Sequence, residues 1–440
     1  MSTQIVSVIS LVLFGALSAQ AAEQSYEQAN SVAVSLQDAT QIAVGRSFRI
    51  RQSEAERNAQ VEKRRGSWAE VGPRVKGEYN EIHLREPVKA SFGPQPITIR
   101  PELTRNAALT IAQPITGAAA LITKAKFEGK QEDLKDLKLR QTRAEVAFQA
   151  SELWLKAFEM KRQLEIADFA VKVASSQASD AQAMERAGRL NHADSLRLQL
   201  AVSEARSGLA RAKAGNDIAL AALREVLGLR PDVKIDLKGG LPKLSNPPDL
   251  SKALNTAFEN RLERKQAALG VVLAEYGKKF AYTQYMPSVN AFAKAEHNMG
   301  QLPLGAQAYQ HTYGITASWD LWSNGSSAFA VREAAQNAVA AEEGRRSVDN
   351  MIRIDVQQAV AAFSAAEESL AAASQAVTQA EEVYRIQSVR FKTGAILSSE
   401  LLLAQNARDA AQVRLATAET DLVLSSLKTQ KALGVEAPQL

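Results

Sequence analysis

Two long tracts of the chain repeat their apolar positions with a helical period, and four short ones alternate them with period two. In the first long tract Val146, Ala150, Leu153, Ala157, Met160, Leu164, Ala167, Val171, Ala174 and Ala178 step by four and three. In the second, Val356, Phe363, Leu370, Val377 and Tyr384 recur at heptad spacing, and Ala359, Ala366, Ala373 and Ala380 follow the first four three places behind. A sustained heptad seam marks helices packed as coiled coils, and alanine at one of its two positions lets the axes approach closely. Proline breaks helix interiors, and none occurs between Pro114 and Pro231 or between Pro303 and Pro438. Both spaces are filled with Ala, Leu, Glu, Lys, Arg and Gln, the strong helix formers. The first helix is expected to run from about 117 to 187, on the order of 100 Å at 1.5 Å per residue.

The period-two tracts lie among the prolines. From 313, "YGITASWDL" puts Tyr313, Ile315, Ala317, Trp319 and Leu321 on one face and Gly314, Thr316, Ser318 and Asp320 on the other. From 105, Ala107, Leu109 and Ile111 alternate with Asn106, Thr110 and Ala112. From 289, Val289, Ala291, Ala293 and Ala295 oppose Asn290, Lys294 and Glu296. The stretch from 74 fits least well: Val75, Gly77 and Tyr79 alternate, then the phase slips before Ile82 and Leu84. Strands of this length, apolar outward and polar inward, suit a membrane-spanning barrel, although a half-buried soluble sheet has the same local pattern.

The chain also repeats itself. At an offset of 214, Leu36, Ala39, Ala43 and Pro73 fall on Leu250, Ala253, Ala257 and Pro287. At an offset of 206, Ile115 falls on Leu321, Gly188 on Gly394, Leu196 on Leu402, Gln199 on Gln405 and Gly228 on Gly434. The offset changes inside the hairpin loop, where the first copy is longer. Each copy reads as helix, strand, loop, strand, very long helix, glycine turn, helix. The first spans 32–228 and the second 250–436, joined by a Pro- and Gly-rich segment at 229–249. Four strands cannot close a barrel, and open edges cannot sit in lipid because their backbone groups go unpaired. Copies of the chain must therefore share one barrel; two would give eight strands and three would give twelve.

Composition narrows the class. With 440 residues and 46% hydrophobic side chains the chain can bury a core, and its net charge of +5 is spread along helices mixed with acids, so nucleic acid is not an expected partner. Cysteine is absent, which removes disulfides, thiolate metal sites and a lipidated cysteine. Residues 1–21 carry no charged side chain, contain "IVSVISLVLFGAL" and end in Ala19-Gln20-Ala21, as a cleaved signal peptide does, although the usual n-region Lys or Arg is missing. No other segment approaches the ~18 apolar residues of a membrane-spanning helix. His83, His192, His297 and His311 are too scattered for a helix-borne metal pair, and GxSxG, HExxH and Walker-type loops are lacking. Neither an enzyme, a metal site nor a cofactor is expected.

The duplicated plan, "GRLNHADSLRLQLAVSEARSGLARAKAGNDIALAALREVLGL" at 188–229, its second copy around "VRFKTGAILSSELLLAQNARDAAQVRLATAETDLVLSSLKTQKALGV", and "YGITASWDLWSNG" resemble the TolC-type outer-membrane efflux protein family. The resemblance covers about 32–436. It implies a homotrimer: a mainly α protein with a 12-stranded transmembrane β-barrel, four strands per chain, continuing into a long α-helical coiled-coil barrel in the periplasm. Such a duct docks on a periplasmic adaptor and an inner-membrane transporter, and passively exports drugs, metals or proteins from an efflux pump or a type I secretion system. It also implies that Gly188 and Gly394 lie at the periplasmic tip. Arg189, Leu190, Ala395 and Ile396 would then face the adaptor. The family's constricting acids would be Asp194 and Glu400. Two departures stand out: Leu403 replaces a second acid and Ile396 a basic latch residue.

Each candidate also has a plainer reading. The glycines are ordinary helix C-caps, and the two acids complement helix N-termini. Tyr313, Trp319 and Trp322 are candidates for an aromatic belt in outer-membrane lipid, or for packing beneath the barrel. The competing class is a soluble periplasmic coiled-coil adaptor or scaffold, which has no reason to hold strand pairs at equivalent places in two copies.

Overall fold

The computed structural model describes residues 31–91, 96–242 and 249–438. The expected signal peptide, 1–21, lies outside them. In chain order the elements are β1 (Ser31–Val34), α1 (Leu36–Arg46), α2 (Phe48–Ala69), β2 (Arg74–His83), β3 (Val88–Ser91), β4 (Pro96–Arg100), β5 (Leu103–Pro114), α3 (Gly117–Arg186), α4 (His192–Val226), β6 (Lys234–Leu237), α5 (Leu250–Asn260), α6 (Leu262–Thr283), β7 (Ser288–Met299), β8 (Tyr309–Ser318), α7 (Ser326–Lys392) and α8 (Ser398–Ala432). The internal repeat is plain in them. α1 and α5 both have 11 residues, α2 and α6 both have 22, and α4 and α8 both have 35. α3 has 70 residues and α7 has 67.

One unit comprises residues 53–139 and 263–348. Its centre is a four-stranded antiparallel sheet in the order β2-β5-β7-β8, so β2 and β8 are its open edges. The phase slip expected before Ile82 is absent. β2 pairs with β5 residue for residue from Arg74–Ala112 to His83–Leu103, so Ile82 lies on the polar face while Glu81 and His83 remain on the apolar one. The polar face carries Lys76, Glu78, Asn80, Asn106, Thr110, Lys294, Glu296 and Thr312; the other carries Val75, Tyr79, Leu109, Ile111, Ala293, Tyr313 and Ile315. Phe292 is an apolar exception on the polar face, where the missing side chain of Gly314 leaves room for its ring. The longer loop of the first copy holds a small ribbon of β3 and β4.

The second unit comprises, among the described residues, 31–52, 140–262 and 349–438. Here each repeat closes on its own beginning. α1 starts with a Ser35 capping box and ends at Ser47, whose extended backbone (φ −60°, ψ 124°) bends the chain into α2; α5 starts with Asp249, whose side chain accepts from the Ser251 N–H, and ends at Arg261 (φ −54°, ψ 122°), which bends the chain into α6. Gly228, after α4, sits against Arg46, and Gly434, after α8, against Asn260 and Arg261. The joining segment is not a bare linker: Lys234–Leu237 pairs in parallel with Ser31–Val34. Alternation of Val233, Ile235 and Leu237, all buried, is the signal for that strand, and the indole N–H of Trp154 donates to the Val34 carbonyl at 2.9 Å. In α7 the heptad positions Val356, Ala359, Phe363, Ala366, Leu370, Ala373, Val377, Ala380 and Tyr384 are the shielded ones, while Ile354, Val383 and Val389 stay exposed.

Candidate functional site

The two glycine turns are one backbone device used twice. Gly188 has φ +71° and Gly394 φ +76°, the left-handed region that glycine enters without a Cβ penalty. The Gly188 N–H donates to Glu185 O at 2.9 Å and the Arg189 N–H to Met184 O at 2.8 Å; Gly394 and Ala395 repeat this with Phe391 and Arg390, both at 2.9 Å. Each is a Schellman closure that satisfies the last carbonyls of its long helix. Gly188, Arg189, Gly394 and Ala395 are exposed, and the Arg189 guanidinium reaches the Lys392 carbonyl at 3.5 Å. Leu190 and Ile396 behave differently. They pack on a buried cluster of Ala178, Ala181, Leu198, Phe391 and Leu401, so their side chains are spent on holding the two hairpins together. Leu196, Leu200, Leu397 and Leu403 are exposed apolar residues nearby, and of these glycine-centred reasoning passed over Leu200 and Leu397.

The two acids are not equivalent. Asp194 is 3% exposed in the single chain. Asn191 caps α4 by accepting from the Asp194 N–H at 2.7 Å and donates to the carboxylate at 2.7 Å. Arg197 donates to Oδ1 at 3.2 Å, and the Ser398 hydroxyl of the other repeat donates to the same oxygen. Both carboxylate oxygens are therefore occupied within the chain. The Asp194 carboxylate, expected to face a pore, is engaged in the single chain by three groups of its own fold, Asn191, Arg197 and Ser398. Glu400 stands in the first turn of α8, is exposed, and its carboxylate has no partner among the described residues. Beside the first turn, the Ser195 hydroxyl and the His192 ring hold the Glu185 carboxyl below its usual range; His192 Nδ1 lies 2.7 Å from Glu185.

On the sheet, the expected aromatic belt divides. Trp319 and Trp322 lie just past β8, and Trp319 Nε1–H donates to Tyr285 O at 3.2 Å. Trp68, Tyr282 and Tyr285 are exposed on the same unit at the helical ends of the sheet, a group that sequence alternation alone did not single out. Tyr313, 86% exposed, sits six residues up the strand, about 20 Å from Trp319 at 3.4 Å per residue. The loop end of the apolar face is polar: Tyr79 and His83 bond Glu81 at 2.7 and 2.8 Å, Arg105 lies 3.4 Å from it, and His297 stacks on Tyr309. On the opposite face Glu296 accepts from Asn106 at 2.6 Å and pairs with Lys294 at 2.8 Å.

Residues 253–435 match the family model described as "Outer membrane efflux protein". No curated protein matches the chain by sequence. Among solved structures, the CmeC outer membrane channel of Campylobacter jejuni is similar at TM-score 0.79 and 12% identity, over 91% of this chain and 85% of that one. VceC, an outer membrane protein of Vibrio cholerae, is similar at TM-score 0.74 and 14% identity, over 91% and 96%. The open state of the Neisseria gonorrhoeae MtrE outer membrane channel is similar at TM-score 0.71 and 16% identity, over 91% and 88%. The resemblance read from the residues thus holds. The second repeat matches the efflux family, and across nine-tenths of the chain the fold is that of TolC-type outer-membrane channels.

Proposed function

We propose that this chain, whose second repeat matches the outer membrane efflux protein family and whose fold is that of outer-membrane channels, is the exit duct of a tripartite efflux pump or type I secretion system, assembled as a homotrimer. The observation that carries the reading is the sheet: four strands, one apolar and one polar face, and two open edges. β2 and β8 run in opposite directions, so β8 of one copy can continue antiparallel into β2 of the next. Closure removes every unpaired edge from lipid and encloses the polar face, with its Lys294, Glu296, Asn106 and Lys76, as a wet lumen. Trp319, Trp322 and Tyr285 would anchor the periplasmic interface, Tyr313 would face acyl chains, and Glu81, His83, Arg105 and His297 would meet the outer headgroups. A soluble scaffold would leave Val75, Leu109, Ile111 and Ile315 in water.

At the glycine turns, Gly188, Arg189, Gly394 and Ala395 present the surface for a periplasmic adaptor, itself bound to an inner-membrane transporter. Leu190 and Ile396 support that surface from beneath. Glu400 supplies the acid ring, three carboxylates around the axis that favour cations. The test is the mass of the detergent-solubilised protein and its conductance in planar bilayers. A trimer with cation-selective pores is expected; a monomer released by osmotic shock would end the reading.

A further inference from the structure

A helix in the wall of a closed helical barrel has a neighbour on each side, so it carries two seams on opposite faces. α3 finds both inside its own chain. Gln60 and Lys63 of α2 reach its Glu128 at 2.7 and 3.1 Å, and its Thr123 and Phe127 line one apolar cleft with Tyr276 and Phe280 of α6. α2 and α7 lie beside the open edges of the sheet in chain order, leading into β2 and out of β8. Each has one shielded stripe and one bare one. On α2, Arg57, Gln60, Arg64 and Ser67 are shielded, while Ala55, Asn58, Glu62, Arg65 and Ala69, on the other side of the helix, are all exposed. On α7, Val331, Ala334, Ala338 and Ala341 are shielded, while Phe329, Glu333, Gln336, Ala340 and Glu343 are exposed. Both bare stripes alternate steps of three and four, the spacing of a coiled-coil seam.

The internal repeat supplies the register. Its offsets carry Phe127 of α3 onto Glu333 of α7, and Tyr276 and Phe280 of α6 onto Glu62 and Gly66 of α2. The cleft between α3 and α6 is therefore a template for a contact between α7 of one copy and α2 of the next, the helices that joining β8 to β2 would bring side by side. Resting on the trimeric reading, we propose that α7 packs antiparallel on the partner's α2 along these stripes, with Glu333 paired to the partner subunit's Arg65. The neighbouring layers agree. With the helices running in opposite directions, Phe329 falls on the partner's Ala69, Gln336 on the partner's Glu62, Ala340 on the partner's Asn58 and Glu343 on the partner's Ala55. The pairing uses groups that are free to make it. Glu333 has no partner among the described residues, and Arg65 gives one Nη to Glu62 at 2.7 Å, which leaves guanidinium donors for a second carboxylate. Aromatic rings line the cleft inside the chain, whereas charge and small side chains make the contact between chains. Such a seam sets partner and register more than affinity.

The chain has no cysteine, so introduced pairs report this contact without background. The full-length Glu333→Cys/Arg65→Cys variant is treated with a short thiol-to-thiol crosslinker, beside each single variant and Glu333→Cys/Asn58→Cys, whose second cysteine is displaced about 10 Å along α2. Covalent dimers and trimers on a denaturing gel are expected from the first pair only. A trimeric native mass with no link, or with stronger linking from the displaced pair, would overturn the contact and leave the trimer standing. A monomeric native mass would overturn the trimer and the contact with it. A charge exchange covers any loss of assembly caused by the cysteines. Glu333→Arg should lower the fraction of trimer that survives detergent denaturation, and adding Arg65→Glu should restore it; no loss in the first variant, or no restoration in the second, also counts against the pairing.

Discussion

At the end of α4, Gly228 (φ +62°) turns the chain with the Cβ of Arg46 3.3 Å from where its own would be, whereas at the end of α8, Gly434 (φ +81°) is pressed on backbone, with Arg261 N at 2.7 Å and the Asn260 carbonyl carbon at 2.8 Å. The tips diverge the other way. Gly188 and Gly394 have open space around them, and there the difference lies in side chains: α4 begins with a capping Asn191 and a buried Asp194, α8 with Leu397, which forms no side-chain cap, and an exposed Glu400. Duplication kept the backbone of every turn. What changed is the load each turn carries, and by position: the second repeat is clamped harder at its terminal turn, the first at its tip.

The largest effect should come from the most crowded turn. Gly434→Ala adds both a left-handed strain and a clash with backbone that cannot rotate away, and is expected to cost about 2–5 kcal/mol; Gly228→Ala, facing a movable side chain, should cost about 1–2, and Gly188→Ala or Gly394→Ala about 1. Thermal unfolding followed by circular dichroism gives the ranking. Equal losses at all four would show that the crowding difference between repeats has no energetic meaning. Next in size is Asp194→Ala, which strands the buried Ser398 hydroxyl and frees Arg197, at about 1–3 kcal/mol. Leu397→Asn tests the same contrast from the other side: it offers α8 the cap that α4 already has, and should raise stability by up to about 1 kcal/mol.

How far the sequence carried this picture depended on how local the signal was. Helix extents and glycine turns were legible because the heptad seam and the glycine positions are properties of short windows. The four strands were legible from alternation, but Ile82 was misread as a slip, since hydrophobicity marks position on a face only where that face is uniformly apolar, and near the loop Glu81 and His83 are not. β6 went unread because Val233, Ile235 and Leu237 lie among prolines and glycines, and their partner is some 200 residues away in β1. The roles of Asp194 and Glu400 could not be separated by aligning repeats. Both acids occupy the same helical position, and only the placement of Ser398 decides which one is consumed.

Where stability is little altered, conduction should still tell the two acids apart. Glu400→Ala removes an exposed, unpaired carboxylate and should leave the thermal transition nearly unchanged while reducing cation selectivity and altering single-channel conductance in planar bilayers. Unchanged currents would remove Glu400 from the constriction and erase the functional half of the contrast.

The smallest effect concerns Glu185, which has no acid counterpart because Phe391 occupies the equivalent place in the second repeat. Its carboxyl is held below the ordinary range by the Ser195 hydroxyl and then the His192 ring. A depressed folded-state pKa means that the contribution is present above the unfolded carboxylate value, about 4.3, and is lost as pH falls through the lower folded value. Amide exchange at Arg189 and Ser195, corrected for intrinsic rates, should therefore be slow and flat from pH 7 to 5 and quicken below about 4, while the Glu185→Gln variant should lose this acid-dependent step. The second tip, lacking the acid, should show no such step at Ala395, and a step of equal size in both tips would mean that the acid response belongs to the shared turn rather than to Glu185.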